Sequence, residues 1–212
     1  MAKELEKQVE RIRQKLRRLR KRGAQQLSRT APDSRFLRQH GGGFGLGYTV
    51  DLAVSDDPLM VGQRTTQAGS DSESLIPLVV QVEAGCKERP AQVSADSAFF
   101  SVKNLNRLQG RGIDGYVPDA HLAGERQQRH GPLKTLAESA AQRRMRDKLR
   151  SPAGQARYRR RQALVEPVFG TLKAQRGLHH LRLRGWSKAG LEVALYCPAC
   201  NLTRMWRAQR NG

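Results

Sequence analysis

Hydrophobic and polar positions alternate from Phe44 to Val54. Tyr48, Val50, Leu52 and Val54 fall on one face and Thr49, Asp51 and Ala53 on the other, the period of a half-buried strand. Ser55-Asp56-Asp57-Pro58 reads as a turn, and Leu59 to Thr66 returns as a second strand, so the pair predicts a hairpin. Leu75, Leu78, Val79 and Val82 then recur at helical spacing, with Ser74 as N-cap, Pro77 in the first turn and Gly85 past the end. Ala91 to Asp96 predicts a strand, Ser101 opens a helix through Val102, Leu105 and Leu108, and Ile113 to Val117 predicts a further strand. Alternating strands and helices point to an α/β fold with a partly parallel sheet. Asp96 closes a strand, the place where such sheets commonly carry their chemistry.

Before this region Leu5, Val9, Ile12, Leu16 and Leu19 make a stripe spaced 4, 3, 4, 3 on a basic helix ending at Gly23. Such a helix dimerises, lies along a nucleic-acid backbone, or serves as a solvated linker with one docked face. Pro32 and Gly41-Gly42-Gly43 mark linker and turn, with a boundary near residue 30; the glycines lack phosphate-loop spacing and read as a hinge or hairpin entry. Residues 119–160 are polar without clear periodicity. An apolar helical pattern follows around Leu164, Val165, Val168, Phe169 and Leu172, then a basic loop from Gly177 to Gly185 and a last helix from about Ser187. The organisation expected is a basic helix and linker over 1–30, a core over 31–185, and a C-terminal helix packed on it over 186–212.

The 212 residues suit one domain with an appendage. With 39 Lys and Arg against 19 Asp and Glu, the formal charge is +20, which points to a polyanionic partner and foremost to nucleic acid. No apolar run is long enough to span a membrane, and the basic N-terminus lacks a signal peptide's apolar stretch, so a soluble protein of the cytoplasm is expected. Cys86, Cys197 and Cys200 do not make a disulfide framework.

The charge is concentrated. Residues 141–188 hold 14 Lys and Arg and two acids, Asp147 and Glu166. Glu166 sits among apolar neighbours (LVEPVF), where a carboxylate is expected to be paired, with Arg161 or Lys173, or bound to metal. Asp96 and the Asp56-Asp57 pair are the acids that could converge on it. Three carboxylates can hold two Mg²⁺ or Mn²⁺ about 4 Å apart, the arrangement that cleaves phosphodiesters.

The blocks APDSRFL (31–37), GYTVDLAVSDD (47–57), TQAGSD (66–71), VSADSAFF (93–100), VEPVFGTLKAQRG (165–177) and LRLRGW (181–186) resemble, in order, the catalytic part of bacterial insertion-sequence transposases of the DDE type. That resemblance implies a ribonuclease H-like mixed sheet flanked by helices, here preceded by the basic amphipathic helix. It implies metal-dependent DNA cleavage and strand transfer at insertion-sequence ends, with Mg²⁺ or Mn²⁺ as cofactor. Its partners would be double-stranded DNA, as transposon ends and target, and further copies of the chain on that DNA; no membrane is involved, and the setting is bacterial and nucleoid-associated.

Residue by residue, Asp96 matches the family's second aspartate and Glu166 its glutamate. Lys173 matches the lysine that would position a phosphate, with Tyr158 and Arg161 roughly in the signature's Tyr and Arg places. Where the signature expects a basic residue four before the glutamate, the chain has Gln162. Where relatives read Ala-Val-Asp, this chain has Ala53-Val54-Ser55, and a serine cannot replace an ionised metal ligand. Asp57 shares Ser55's face one pleat pair farther on, roughly 6.6 Å, and is the expected first acid, with Asp56 next. Arg157, Arg159, Arg160, Arg161, Lys173, Arg176, Arg182 and Arg184 are the expected DNA contacts.

The family's N-terminal DNA-binding region is missing or reduced to the first helix. The alternative to an active enzyme is therefore a truncated, inactive transposase that still binds DNA. A third reading, an unrelated basic RNA-binding protein, explains the charge but not the ordered blocks. Cys197-Pro198-Ala199-Cys200, a lone C-x-x-C within a helical pattern, reads as buried helix-face cysteines with a proline kink. His179-His180 faces solvent or DNA, and Tyr196, Trp186 and Trp206 read as packing rather than base-stacking groups.

Overall fold

The computed structural model describes residues 2–22, 28, 31–38, 42–68, 70–126, 139–178 and 180–211. Gly23, the boundary near residue 30, Gly41 and His179 lie outside them. The chain opens with helix α1 (Ala2–Arg22) and a hairpin of β1 (Arg35–Arg38) with β2 (Phe44–Gly47). The alternation read as one strand from Phe44 is thus divided at Tyr48, where pairing passes to a second hairpin of β3 (Thr49–Val54) with β4 (Met60–Thr66). Gly42 and Gly43, both at positive φ (87° and 78°), turn the chain into β2 as the glycine run predicts.

Helix α2 (Leu75–Cys86) follows. Ser74 does not cap it by side chain, and the helix runs through Gly85 to a left-handed Lys87, two residues past the predicted stop. Strand β5 (Gln92–Ser94), helix α3 (Val102–Gly110) and strand β6 (Asp114–Tyr116) make a parallel crossover. Ser101 caps α3 as predicted, its hydroxyl accepting from the Asn104 amide at 3.1 Å.

The polar region without periodicity is mostly helical where it is described. It contains α4 (Ala120–Arg126), α5 (Ala140–Arg150) and α6 (Pro152–Gly170), and α6 passes into a π-helical turn at Thr171–Gln175. Helix α7 (Trp186–Asn211) completes the chain. The architecture is mixed α/β, with three separate two-stranded sheets among the described residues where one continuous mixed sheet was expected. No described helix is long and apolar enough to cross a membrane.

Two cores lie beside the β3–β4 hairpin. Leu75, Ile76 and Val79 of α2 pack with Leu105, Leu108, Ile113 and Val117 of the crossover. Val168, Leu172, Val193, Cys197 and Cys200 pack with Met60, and Val50, Leu52 and Val54 of β3 lie against them. The strand alternation therefore sends Val50, Leu52 and Val54 to the α6–α7 side and Asp51 to the α2 side. Asn201 ties α7 to the hairpin by bonding both the amide and the carbonyl of Met60, each at 2.9 Å. The C-x-x-C cysteines are buried on the inner face of α7, as expected, and burial pushes the Cys197 thiol up to about 11.

Candidate functional site: acids and arginines about the hairpin

The acids expected to converge do not. Asp56 and Asp57 are exposed at the tip of the β3–β4 hairpin, and Asp56 faces Arg160 of α6 at 3.5 Å. Ser55 serves the turn: its amide donates to the Leu59 carbonyl at 2.8 Å and its hydroxyl accepts from the Leu59 amide at 3.2 Å. Glu166 is exposed on α6 and makes no hydrogen bond or ion pair among the described residues, so neither Arg161 nor Lys173 pairs with it. Its helix seats Val168 in the core on the Val50, Leu52 and Val54 side of β3.

Asp96 belongs to the other side. Its carboxylate accepts from the Ala98 amide at 2.9 Å, capping a short 3₁₀ turn at Ser97–Phe99. The acids that share its field are Asp51 and Asp71, which pattern reading did not single out. Asp51 is 4% exposed, and its Oδ2 has no hydrogen-bond partner. Burial raises its pKa, with Ser74 and Arg64 pulling back and Asp71 and Asp96 pushing further up. Burial likewise raises that of Asp71, with repulsion from Asp96 adding to it. The Ser74 hydroxyl, fully buried, lies close enough to oppose the Asp51 shift without completing a sound hydrogen bond. A lone acid on the polar face of β3, in register with Arg64 of β4, was the available signal.

Among the described residues no group of three or more His, Cys, Asp or Glu is placed to hold a metal ion. Asp57, Asp96 and Glu166 thus do not form such a group. Asp51 leads to a test of the electrostatics. A carboxyl whose folded pKa is raised loses folding stability as pH climbs from the ordinary value near 3.8 through the raised one. Asp51→Asn is therefore expected to melt higher than the parent chain at pH 7, with the gap closing in acid; a lower Tm at pH 7 would contradict this placement.

The basic residues divide as well. On a helix advancing roughly 100° per residue, Arg157, Arg160 and Arg161 of α6 share one arc with the buried Val168, while Arg159 and Glu166 look the opposite way. Arg157 and Arg161 are half-buried; Arg161 lies 5.1 Å from the Tyr158 ring and Arg157 acts on Asp114. Arg159 and Arg160 are exposed. Lys173 is exposed on the π-helical turn, 5.8 Å from the Phe169 ring. That turn breaks the α-helical phase, so the seven residues from Glu166 are not two plain turns. Arg176 is exposed and donates to Thr203 Oγ1 of α7 at 2.7 Å.

Arg182 and Arg184 are exposed on the basic loop, which a residue missed by pattern reading holds in place. Glu192 of α7, 8% exposed, accepts from the amides of Arg182 and Leu183 at 3.0 and 2.8 Å. Leu178 and Leu181 anchor the same loop on the core. Gly185, at φ 92°, turns the chain into α7, where the Trp186 amide donates to Asp33 at 2.9 Å and its indole to the Thr65 carbonyl at 2.7 Å. Trp186 is thereby tied down by hydrogen bonds while 49% exposed, and Trp206 lies half-exposed beneath Arg210 at 4.8 Å.

Residues 124–206 match the family model described as Transposase DDE domain. The matched stretch holds α5, α6, the π-helical turn and most of α7, with Glu166, Lys173 and all eight expected DNA contacts; Asp51, Asp57, Asp71 and Asp96 lie outside it. No curated protein and no solved structure matches the chain.

Proposed function

We propose that this chain, whose residues 124–206 match the transposase DDE domain model, acts on double-stranded DNA as a transposase-type protein which grips the backbone without cutting it by itself. The exposure of Asp57 at the hairpin tip and of Glu166 on α6, with no group of three acids, His or Cys placed for a metal among the described residues, supports the second half of this reading. Arg159, Arg160, Lys173, Arg176, Arg182 and Arg184, exposed on α6, the π-helical turn and the basic loop, support the first. Phosphate contacts by exposed arginines and lysines hold a duplex irrespective of its sequence. The ribonuclease H-like arrangement, the core over 31–185 and assembly of several copies on DNA belong to the same proposal.

The competing reading is metal-dependent cleavage and strand transfer at insertion-sequence ends. The family's use of divalent metals favours it, as do Glu166 and Lys173 within the matched stretch. It requires Asp96, Glu166 and a first acid to be brought together when DNA binds. Duplex DNA incubated with the purified chain and Mg²⁺ or Mn²⁺ separates the two readings. The expected result is a bound, intact duplex for the parent chain, Asp96→Asn and Glu166→Gln alike. Nicking by the parent chain that both substitutions abolish would overturn the proposal in favour of cleavage.

A further inference from the structure

We propose that the exposed face of the β1–β2 hairpin is a stacking platform for unpaired bases of a DNA strand whose phosphates lie on the neighbouring basic loop; this rests on the DNA-binding reading above. Phe36 stands opposite Leu46 and Phe44 opposite Arg38, and cross-strand partners share a face. Phe36, Phe44 and Leu46 therefore lie on one side of the ribbon, where they are 49, 69 and 46% exposed, whereas Leu37 on the other side is half-buried. Among the described residues no third strand extends this sheet. As diagonal neighbours on one face, the two phenylalanines stand about 7 Å apart.

The base of the ribbon is joined to the basic loop from both strands. Two residues before β1, Asp33 accepts from the Trp186 amide, and a Cβ on Gly185 would stand 3.8 Å from the same carboxylate. Directly after β2, the Tyr48 hydroxyl is buried beside the Gly185 backbone and Asp33. Arg182 and Arg184 are exposed on the loop that ends there, so the ring-bearing face and the cationic loop share one foundation. The arginines select a polyanion. The rings select one that offers flat apolar faces as well. A duplex keeps its base faces inside the stack and presents only their edges in the grooves, whereas a strand with unpaired bases presents phosphates and faces together.

Fluorescence anisotropy with labelled DNA separates bases from phosphates. One duplex carries a single-stranded thymidine tail, a second carries an abasic tail of the same length and charge, and a third is blunt. The parent chain is expected to bind the thymidine tail at least about fivefold more tightly than the abasic one. Phe36→Ala with Phe44→Ala is expected to remove that preference while leaving blunt-duplex affinity and Tm unchanged, since both rings project into solvent. Phe44→Trp, which keeps a ring, is expected to retain the preference. Equal affinity of the parent chain for the two tails overturns the proposal, as does a preference that survives the alanines. Loss of blunt-duplex binding by the alanine variant at an unchanged Tm also overturns it and assigns the hairpin to the duplex. A parent chain that binds none of the three DNAs overturns the DNA-binding reading itself and this proposal with it.

Discussion

Asp119→Ala is expected to cost about 3–5 kcal/mol of folding stability, the range for removing one partner of a buried ion pair. The Asp119 side chain is 4% exposed and meets Arg146 Nε of α5 at 2.6 Å. It also accepts from the Leu122 amide at 2.8 Å, capping α4, and from Gln142 Nε2 at 2.7 Å. One carboxylate thus joins α4 to α5, and its removal leaves the 19%-exposed Arg146 without that counter-charge. Burial by itself would raise the Asp119 pKa, but the Leu122, Gln142 and Arg146 bonds outweigh it and bring the value below the ordinary 3.8. Because the folded value is depressed, the contribution is complete above the unfolded pKa and is lost as pH falls through the folded one. Urea titrations should show a large stability gap between parent and variant at pH 7 that narrows toward strong acid. A gap under about 1 kcal/mol, the net worth of one ordinary hydrogen bond, would contradict this role.

Gly154→Ala is expected to destabilise although it raises helix propensity. In an open helix the change would gain about 1 kcal/mol. Here a Cβ would stand 1.9 Å from the Lys148 carbonyl oxygen and 3.1 Å from Leu149 Cα. Both obstacles are backbone, so no rotamer change relieves them. Gly154 lies where α5 turns into α6, and Ser151 fastens that elbow: its hydroxyl donates to the Lys148 carbonyl at 2.7 Å and accepts from the Gly154 amide at 3.1 Å. Overpacking costs typically 1–3 kcal/mol and more where backbone must move. We expect about 3 kcal/mol, or roughly 6–12 °C in Tm for a chain of this size. A Tm equal to or above the parent's would show that the elbow opens freely.

These two positions mark where pattern reading stops. The β3–β4 hairpin, α2, α3 and β6 were legible because a half-buried strand or helix alternates apolar and polar residues at its own period. In α5 the inward positions are Ala141, Met145, Leu149 and Arg146, so a basic helix with a thin apolar stripe looked formless. The β1 strand, Arg35–Arg38, is too short to display a period. Asp119 and Glu192 look like surface acids in sequence, and only the fold turns them toward amides and an arginine. Face parity correctly placed Asp51 opposite Val50 and Leu52. Parity cannot show which helix covers each face, so it does not tell which acids stand beside Glu166. Nor does parity show the turn that Ser55 and Leu59 close, which puts both following aspartates at its exposed tip.

The most direct test of backbone gripping is the salt dependence of duplex DNA binding, measured for the parent chain and for a variant with Arg159, Lys173, Arg182 and Arg184 all replaced by alanine. Each phosphate contact contributes about 0.9 to the slope of log affinity against log salt concentration. The fourfold variant is expected to bind more weakly, with a slope shallower by roughly 3 to 4, alike for unrelated duplex sequences. An unchanged slope and affinity would contradict it and place the DNA contacts elsewhere on the chain.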